Sequence, residues 1–495
     1  MKTKIIFLLI IILTAVLRIC DIETKNMWFD EVYSWKLSQK SVTDIIADTS
    51  GDIHPPLFYI VLKYWIVLFS DSVFSMRLLS ALLGVLSLIF IFKISRLIFK
   101  ADKPVMFVLL LYAVSPVNIF YSQEIRMLNL NLFLTLGSVY FFLFSMKDNS
   151  VNYLILFVLF LFAAIYTHYF SLLILFTIFV VLILKIISKQ NTFSELRGKF
   201  TAVIIVNALY IPWYPVFFSQ ISKGQPWRTV NSLQDTGHNF LNYFKDNFLS
   251  VYYGFEPIHI QYLSLFISFF LLAYLLYCMF RFLNSEVIIS ADYNYIILFF
   301  YLPLLISLII SFKHYIILSR YLSIIIPYLI ITVIFFSTTL FKNKIQTLLF
   351  LFLFCVSSAG VYINYSNSFK NNDYRKVISF IEENYYNKSI IITEPHFMGW
   401  SIEYYSKHSE TKLPVPEIFG WDLKMQLDSL KSRKDIDKFW LILDYSSLAN
   451  EDYVSAEKVL NQMGFKKSLE KTFYVIPAKV SAGYYVRQND PEFKN

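Results

Sequence analysis

Two adjacent acids, Asp30 and Glu31, stand behind Trp28 and Phe29 just after an apolar first segment. A carboxylate at the headgroup boundary can take a proton from an attacking hydroxyl, and partial burial tunes its pKa. The same pair also reads as solvated loop acids or as acids at a helix N-terminus. His54 precedes Pro55-Pro56-Leu57. Proline fixes φ and restricts the residue before it, so this imidazole is held at a stiff bend, suited to a phosphate or to positioning an acid. Two prolines before a helix are also ordinary N-terminal punctuation.

Further polar groups recur at the ends of later apolar runs. Tyr121, Gln123, Glu124 and Arg126 close one of them, and His168 splits another. Glu124 and Arg126 read as a ligand-binding pair or as partners of each other or of headgroups. His168 reads by default as a polar tip at the interface. Lys313, His314, Arg320 and Tyr321 occupy one more connection, with Lys223, Trp227 and Arg228 in the loop before it. Cations on this side suit an anion such as a phosphate, or else anionic lipid or acids of the soluble domain.

These groups are carried by a chain of 495 residues that is 57% hydrophobic and only 16% charged, with 50 Phe and 35 Tyr. Its mean hydropathy of +0.54 places it among integral membrane proteins. The net charge of +9 does not point to nucleic acid, because many Lys and Arg lie in short loops between apolar runs. Cys20, Cys278 and Cys355 have neither metal-ligand spacing nor an evident disulfide pattern.

A membrane-spanning helix needs about 17–25 apolar residues. Eleven such runs are expected, at 4–20, 74–99, 105–121, 127–146, 151–168, 169–188, 200–218, 260–282, 293–311, 321–341 and 345–364. Residues 4–20 read as a retained helix, since no small-residue cleavage site follows. With the N terminus cytoplasmic, Arg96, Lys100, Lys147, Lys185, Lys199, Arg281 and Lys342 all fall at cytoplasmic ends. The polar groups described above then share the outer side. Pro55 to Phe69 is apolar but short and reads as an interfacial helix.

The composition changes after residue 364. Lys376–Tyr386 and Ser455–Met463 read as helices, and Ser389–Ile392, Phe439–Leu443 and Phe473–Ile476 as strands. The expected architecture is an α-helical polytopic membrane protein with a small C-terminal extracytoplasmic α/β domain. Residues 1–364 form the transmembrane part, with a first outer loop at 21–73, and residues 365–495 the α/β part.

Taken in order, these motifs resemble the GT-C superfamily of polytopic glycosyltransferases. Within it they resemble the dolichyl-phosphate-mannose protein mannosyltransferases and the bacterial aminoarabinose transferases. Trp28-Phe29-Asp30-Glu31 resembles the acidic motif of that family's first outer loop, and His54-Pro55-Pro56-Leu57 its following His/Lys-Pro-Pro-Leu element. Tyr121 to Met127 resembles the segment closing its third helix, and Ser319-Arg320-Tyr321-Leu322 with Pro327 its late Arg-Tyr-Leu and Pro element. Asp373-Tyr374-Arg375 also recurs in bacterial members. This chain has His54 where the aminoarabinose transferases carry Lys.

The resemblance implies transfer of one sugar, with inversion, from a polyprenyl-phosphate-linked donor to an extracytoplasmic lipid, glycan or protein acceptor. It implies Asp30 as the catalytic base with Glu31 beside it. His54, Arg126, Lys313, His314 and Arg320 would bind the donor phosphate, and Trp28, Tyr121, Gln123, Glu124, His168 and Tyr321 would line the substrate cavity. No cofactor is required, though Asp30 and Glu31 could hold a divalent cation, Mg or Mn. The partners implied are the donor, the acceptor and membrane lipid, in the cell membrane. A flippase for lipid-linked sugar and a noncatalytic binder are the rivals. The expected spans hold almost no Asp or Glu away from their ends and show no inverted repeat, which counts against transport.

Overall fold

The structure, a computed structural model, describes residues 2–148, 150–223, 233–249, 258–284, 294–314, 316–366, 374–384, 389–395, 398–408, 413–414, 416–417, 423–444, 450–475 and 478–488. Trp227, Arg228 and Asp373, singled out above, lie outside the described residues.

Two compact units divide the chain. The first takes residues 1–22, 37–252 and 256–366; the second takes residues 23–36, 253–255 and 367–495.

Helices occupy each of the apolar runs of the first unit. Among the described residues six are long and apolar enough to cross a membrane: Val73–Ile98, Leu128–Lys147, Phe193–Lys223, Tyr262–Arg281, Tyr321–Leu340 and Asn343–Ser366. Asp102–Ala113 and Pro116–Ser122 make a seventh if taken as one span bent by 52°. Leu57–Leu68, Val151–Ile165, Ser171–Ile187 and Tyr295–Ser311 are shorter apolar helices. The apolar windows of Leu128–Lys147 and Tyr321–Leu340 are 83% buried, against 28% for Phe193–Lys223 and 33% for Tyr262–Arg281. The first pair therefore forms the centre of the unit. The others carry exposed Phe266, Phe269, Phe280, Ile204 and Leu209, surface that costs nothing in lipid.

Local chemistry sets the helix ends. Ser72 caps Val73–Ile98 by accepting from the Ser75 N–H at 3.2 Å. Thr192 and Glu195 form a reciprocal capping box before Phe193–Tyr210. The bend after Ala113 has a specific cause. Pro116 has no N–H, so the Tyr112 carbonyl four residues back loses its helical donor. The Ser115 N–H at 3.3 Å and the fully buried Arg18 supply replacements, with Nη2 donating to Tyr112 O at 3.3 Å and Nη1 to Ala113 O at 3.2 Å. Its guanidinium lies 4.8 Å from the Tyr112 ring centroid.

The second unit holds a four-stranded mixed sheet of order β1-β2-β4-β3, with β1 Ile390–Glu394, β2 Lys438–Asp444, β3 Phe465–Val475 and β4 Ala478–Arg487. β1 runs parallel to β2; β4 is antiparallel to both β2 and β3. Side chains alternate along β2. Trp440 and Ile442 join the core under helix Tyr374–Glu383, while Phe439, Leu441 and Leu443 join the core under Leu423–Ser432 and Asn450–Gln462. Burial on both faces explains the unbroken apolar run of β2. The strand expected at 473–476 is the end of a much longer one, because β3 is an edge strand rich in Lys and Glu, with a bulge between Lys467 and Leu469. Its Ile476 lies outside the described residues.

Candidate active site

The two prolines after His54 remove N–H donors on either side of the bend, and the next available one ties the segment down. Leu57 N–H donates to Tyr166 O at 3.0 Å, at the end of helix Val151–Ile165. That bond brings the His54 bend to the connection carrying His168, so the two imidazole centroids lie 5.5 Å apart. Tyr321 joins them from the start of the Tyr321–Leu340 span, 5.3 Å from His168 and 6.5 Å from His54. Phe170 packs 5.4 Å from the Tyr321 ring, and the Arg320 guanidinium lies 5.2 Å from it.

Electrostatics tie two arginines to this cluster. Burial first, then Arg126, His168 and Arg320, hold the His54 imidazole well below its ordinary value. Burial, then Arg126 and Arg320, push His168 down to about 3. Both rings are therefore neutral at neutral pH. His168 Nδ1 accepts from the Phe170 N–H at 3.2 Å, which assigns the ring proton to Nε2. Nε2 is buried and has no hydrogen-bond partner among the described residues. Two cationic side chains, an unsatisfied N–H donor and a second imidazole suit an oxyanion.

The other expected residues are distributed as follows. Gln123, 5% exposed, donates from Nε2 to Cys20 O at 2.9 Å and so secures the end of helix Lys2–Ile19. Tyr121 and Glu124 are buried, Tyr121 with its ring edge-on to Phe120 at 5.3 Å. Lys313 and His314 are exposed on the connection after Leu298–Ser311, and the structure does not bring them to the buried histidines. Arg77 was not singled out by pattern. It is fully buried and donates from Nη1 to Ile22 O at 2.8 Å, holding the start of the first loop. An arginine four residues inside an apolar span is the signal that marks it.

Asp30 and Glu31 lie in the second unit, in the first turn of helix Phe29–Ser38, where acids favour the exposed N–H groups. Their environments differ. Glu31 is fully buried, and one carboxylate oxygen accepts from the Trp28 N–H at 3.4 Å. Asp30 and Trp28 are half-buried. Glu31 thus serves the helix start, and Asp30 remains the more accessible carboxylate. Among the described residues no group of three or more His, Cys, Asp or Glu gathers to hold a metal ion.

Residues 53–215 match the family model of dolichyl-phosphate-mannose-protein mannosyltransferases. That stretch contains His54, Arg126 and His168. No curated protein matches the chain. Among solved structures, ArnT from Cupriavidus metallidurans in the apo state is similar at 12% identity and TM-score 0.54, covering 96% of this chain and 97% of that one. ArnT bound to undecaprenyl phosphate gives a TM-score of 0.53 at 10% identity, over 96% and 97%. The oligosaccharyltransferase of Archaeoglobus fulgidus gives 0.54 at 12% identity, covering 94% of this chain and 73% of that one. The protein O-mannosyltransferase complex of S. cerevisiae, solved with its sugar donor, is 19% identical over 44% of this chain, at TM-score 0.37. This chain spans 33% of that protein's length. The family model matches part of the chain, and the likeness to ArnT and to the archaeal oligosaccharyltransferase is one of fold.

Proposed function

We propose that this chain moves a single sugar from a polyprenyl-phosphate-linked donor to an acceptor hydroxyl on a lipid, glycan or protein at the extracytoplasmic face, with inversion. The observation that carries this reading is the cluster of the buried His54, His168, Arg126 and Tyr321 with the half-buried Arg320. ArnT bound to undecaprenyl phosphate supports the donor class. The orientation follows the charge bias of the loops: N terminus cytoplasmic, eleven crossings, and residues 365–495 outside the cell membrane.

In this reading Asp30 takes the proton of the acceptor hydroxyl. The acceptor oxygen forms its bond to the anomeric carbon as the bond from that carbon to the phosphate oxygen breaks. The electron pair leaves with the phosphate, which passes from monoanion to dianion. Arg126 and Arg320 face that developing charge, while the Nε2–H of His168 and the His54 ring supply hydrogen bonds. His168, expected as a cavity residue, is here assigned to the phosphate. Lys313 and His314, exposed on the connection after Leu298–Ser311, are retained for the donor's approach. Tyr321, Tyr121, Gln123, Glu124 and Trp28 are assigned to the substrate cavity.

The test is transfer from a panel of radiolabelled polyprenyl-phosphate sugars to native membrane extract, comparing wild type with Asp30→Asn. Label should move in the wild type and fall at least about a hundredfold in the variant, the scale of a lost general base. Saturable donor binding with transfer by neither protein would instead favour a binder or a flippase.

A further inference from the structure

Residues 23–36 carry both acids, and they are built into the same compact unit as the C-terminal α/β domain. One helix of that domain, Gly399–Lys407, meets this segment at several points. Lys36 Nζ donates to both carboxylate oxygens of Glu403, at 2.6 and 2.7 Å. The Trp35 ring meets Tyr404 edge-on at 5.1 Å, with the Lys407 ammonium 5.6 Å from the Trp35 centroid. Trp400 stacks on Phe29 at 6.0 Å and 14°, and lies 5.7 Å from Tyr33. Tyr405 OH accepts from the Met27 N–H at 2.7 Å, and Arg375 Nη1 donates to Thr24 O at 3.2 Å.

The spacing makes these contacts a single device. Positions 400, 403, 404 and 407 recur as i, i+3, i+4 and i+7, one face of a helix. Phe29, Tyr33 and Lys36 recur as i, i+4 and i+7, one face of the acidic helix. Asp30 sits about 100° round the axis from Phe29, on the flank of the gripped face. Any rotation of the acidic helix would therefore have to break the Lys36–Glu403 pair and unstack Phe29. Bonds at Met27 and Lys36 hold both ends of the segment, so rotation and translation are restrained together.

We propose that the C-terminal domain fixes the setting of the catalytic carboxylate, with Glu403, Tyr404 and Tyr405 as positioning residues. The catalytic consequence rests on the transfer reaction proposed above; the mechanical one does not. A chain without this grip would keep its donor site and lose the defined orientation that a general base needs.

The full-length protein in nanodiscs allows both consequences to be measured. Glu403→Gln and Tyr405→Phe should each raise deuterium uptake across residues 27–38, with the Met27 amide responding most to Tyr405→Phe. Each should lower kcat about tenfold with donor KM and undecaprenyl phosphate binding unchanged, the split expected of misplacement. Exchanging the charges (Lys36→Glu with Glu403→Lys) should restore much of the protection and turnover that each single exchange removes. Tyr405→Phe removes one hydroxyl, so it keeps the test alive should the charge variants fold poorly. Unchanged uptake would overturn the proposal, as would raised uptake with unchanged kcat. Should the wild type transfer from no donor, the transferase reading fails separately, and uptake alone decides whether the helix is held.

Discussion

His168 Nε2 is a buried N–H donor without a partner among the described residues, on a ring 5.5 Å from that of His54. A buried polar group left unsatisfied costs about 1–3 kcal/mol, so a ligand that accepts this bond recovers that cost on binding. Replacement by Phe keeps the packing against Phe170 and Tyr321 and deletes the donor. His168→Phe should therefore weaken undecaprenyl phosphate binding about tenfold, consistent with one charge-assisted hydrogen bond. Titration of fluorescent undecaprenyl phosphate into the nanodisc-reconstituted protein measures it, and unchanged affinity removes His168 from the phosphate site.

The same two histidines set a pH dependence. His54 is held well below its ordinary value and His168 at about 3, while in the unfolded chain each titrates near about 6.5. Between those limits the unfolded state binds more protons, so stability rises with pH there. It is full above about pH 6.5 and is lost as pH falls toward about 3. Melting temperature in detergent should drop on going from about pH 7.5 to about pH 4.5, and His54→Gln with His168→Gln should flatten that slope. A slope untouched by both substitutions would assign the acid sensitivity elsewhere.

Arg18 stands in for the N–H that Pro116 lacks, with its guanidinium on Tyr112 and Ala113 carbonyls. Arg18→Met fills similar volume, leaves Tyr112 O with the Ser115 N–H alone and strips the charged donor from Ala113 O. A loss of about 2–3 kcal/mol is expected, because a buried acceptor loses a charged donor. Lysine should not rescue it, since a single ammonium lacks the fork that serves both carbonyls. Thermal unfolding of Arg18→Met and Arg18→Lys checks both statements.

Transfer should persist in EDTA. Asp30 and Glu31 are the acids expected to hold a divalent cation, and Glu31 is buried with a carboxylate oxygen turned to the Trp28 N–H. Among the described residues no third His, Cys, Asp or Glu joins them, and two carboxylates make a weak site for Mg or Mn. Activity lost in EDTA and restored by Mg or Mn would reverse this and return both acids to metal ligation.

Much of this architecture is written in local pattern. Apolar runs dictate the spans, Lys and Arg in the loops suggest their direction, and Phe439 to Leu443 reads as a strand covered on both faces. The acids behind Trp28 and the histidine before Pro55 stand out because residue type and immediate neighbours mark them. Lys313, His314 and Arg320 look alike by that test, yet only Arg320 reaches the buried histidines. Charge in a loop says nothing about which way the loop folds.

What the tertiary structure decided depends on atoms far apart in sequence. The Leu57–Tyr166 bond sets His54 beside His168, and Pro116 makes a vacancy that Arg18 fills. Lys36, Trp35 and Met27 find their partners on Gly399–Lys407, which gives the acidic helix to the C-terminal unit. Period and composition report which face of an element is apolar. They do not report which distant donor meets which acceptor, because that pairing is settled only when the whole chain packs.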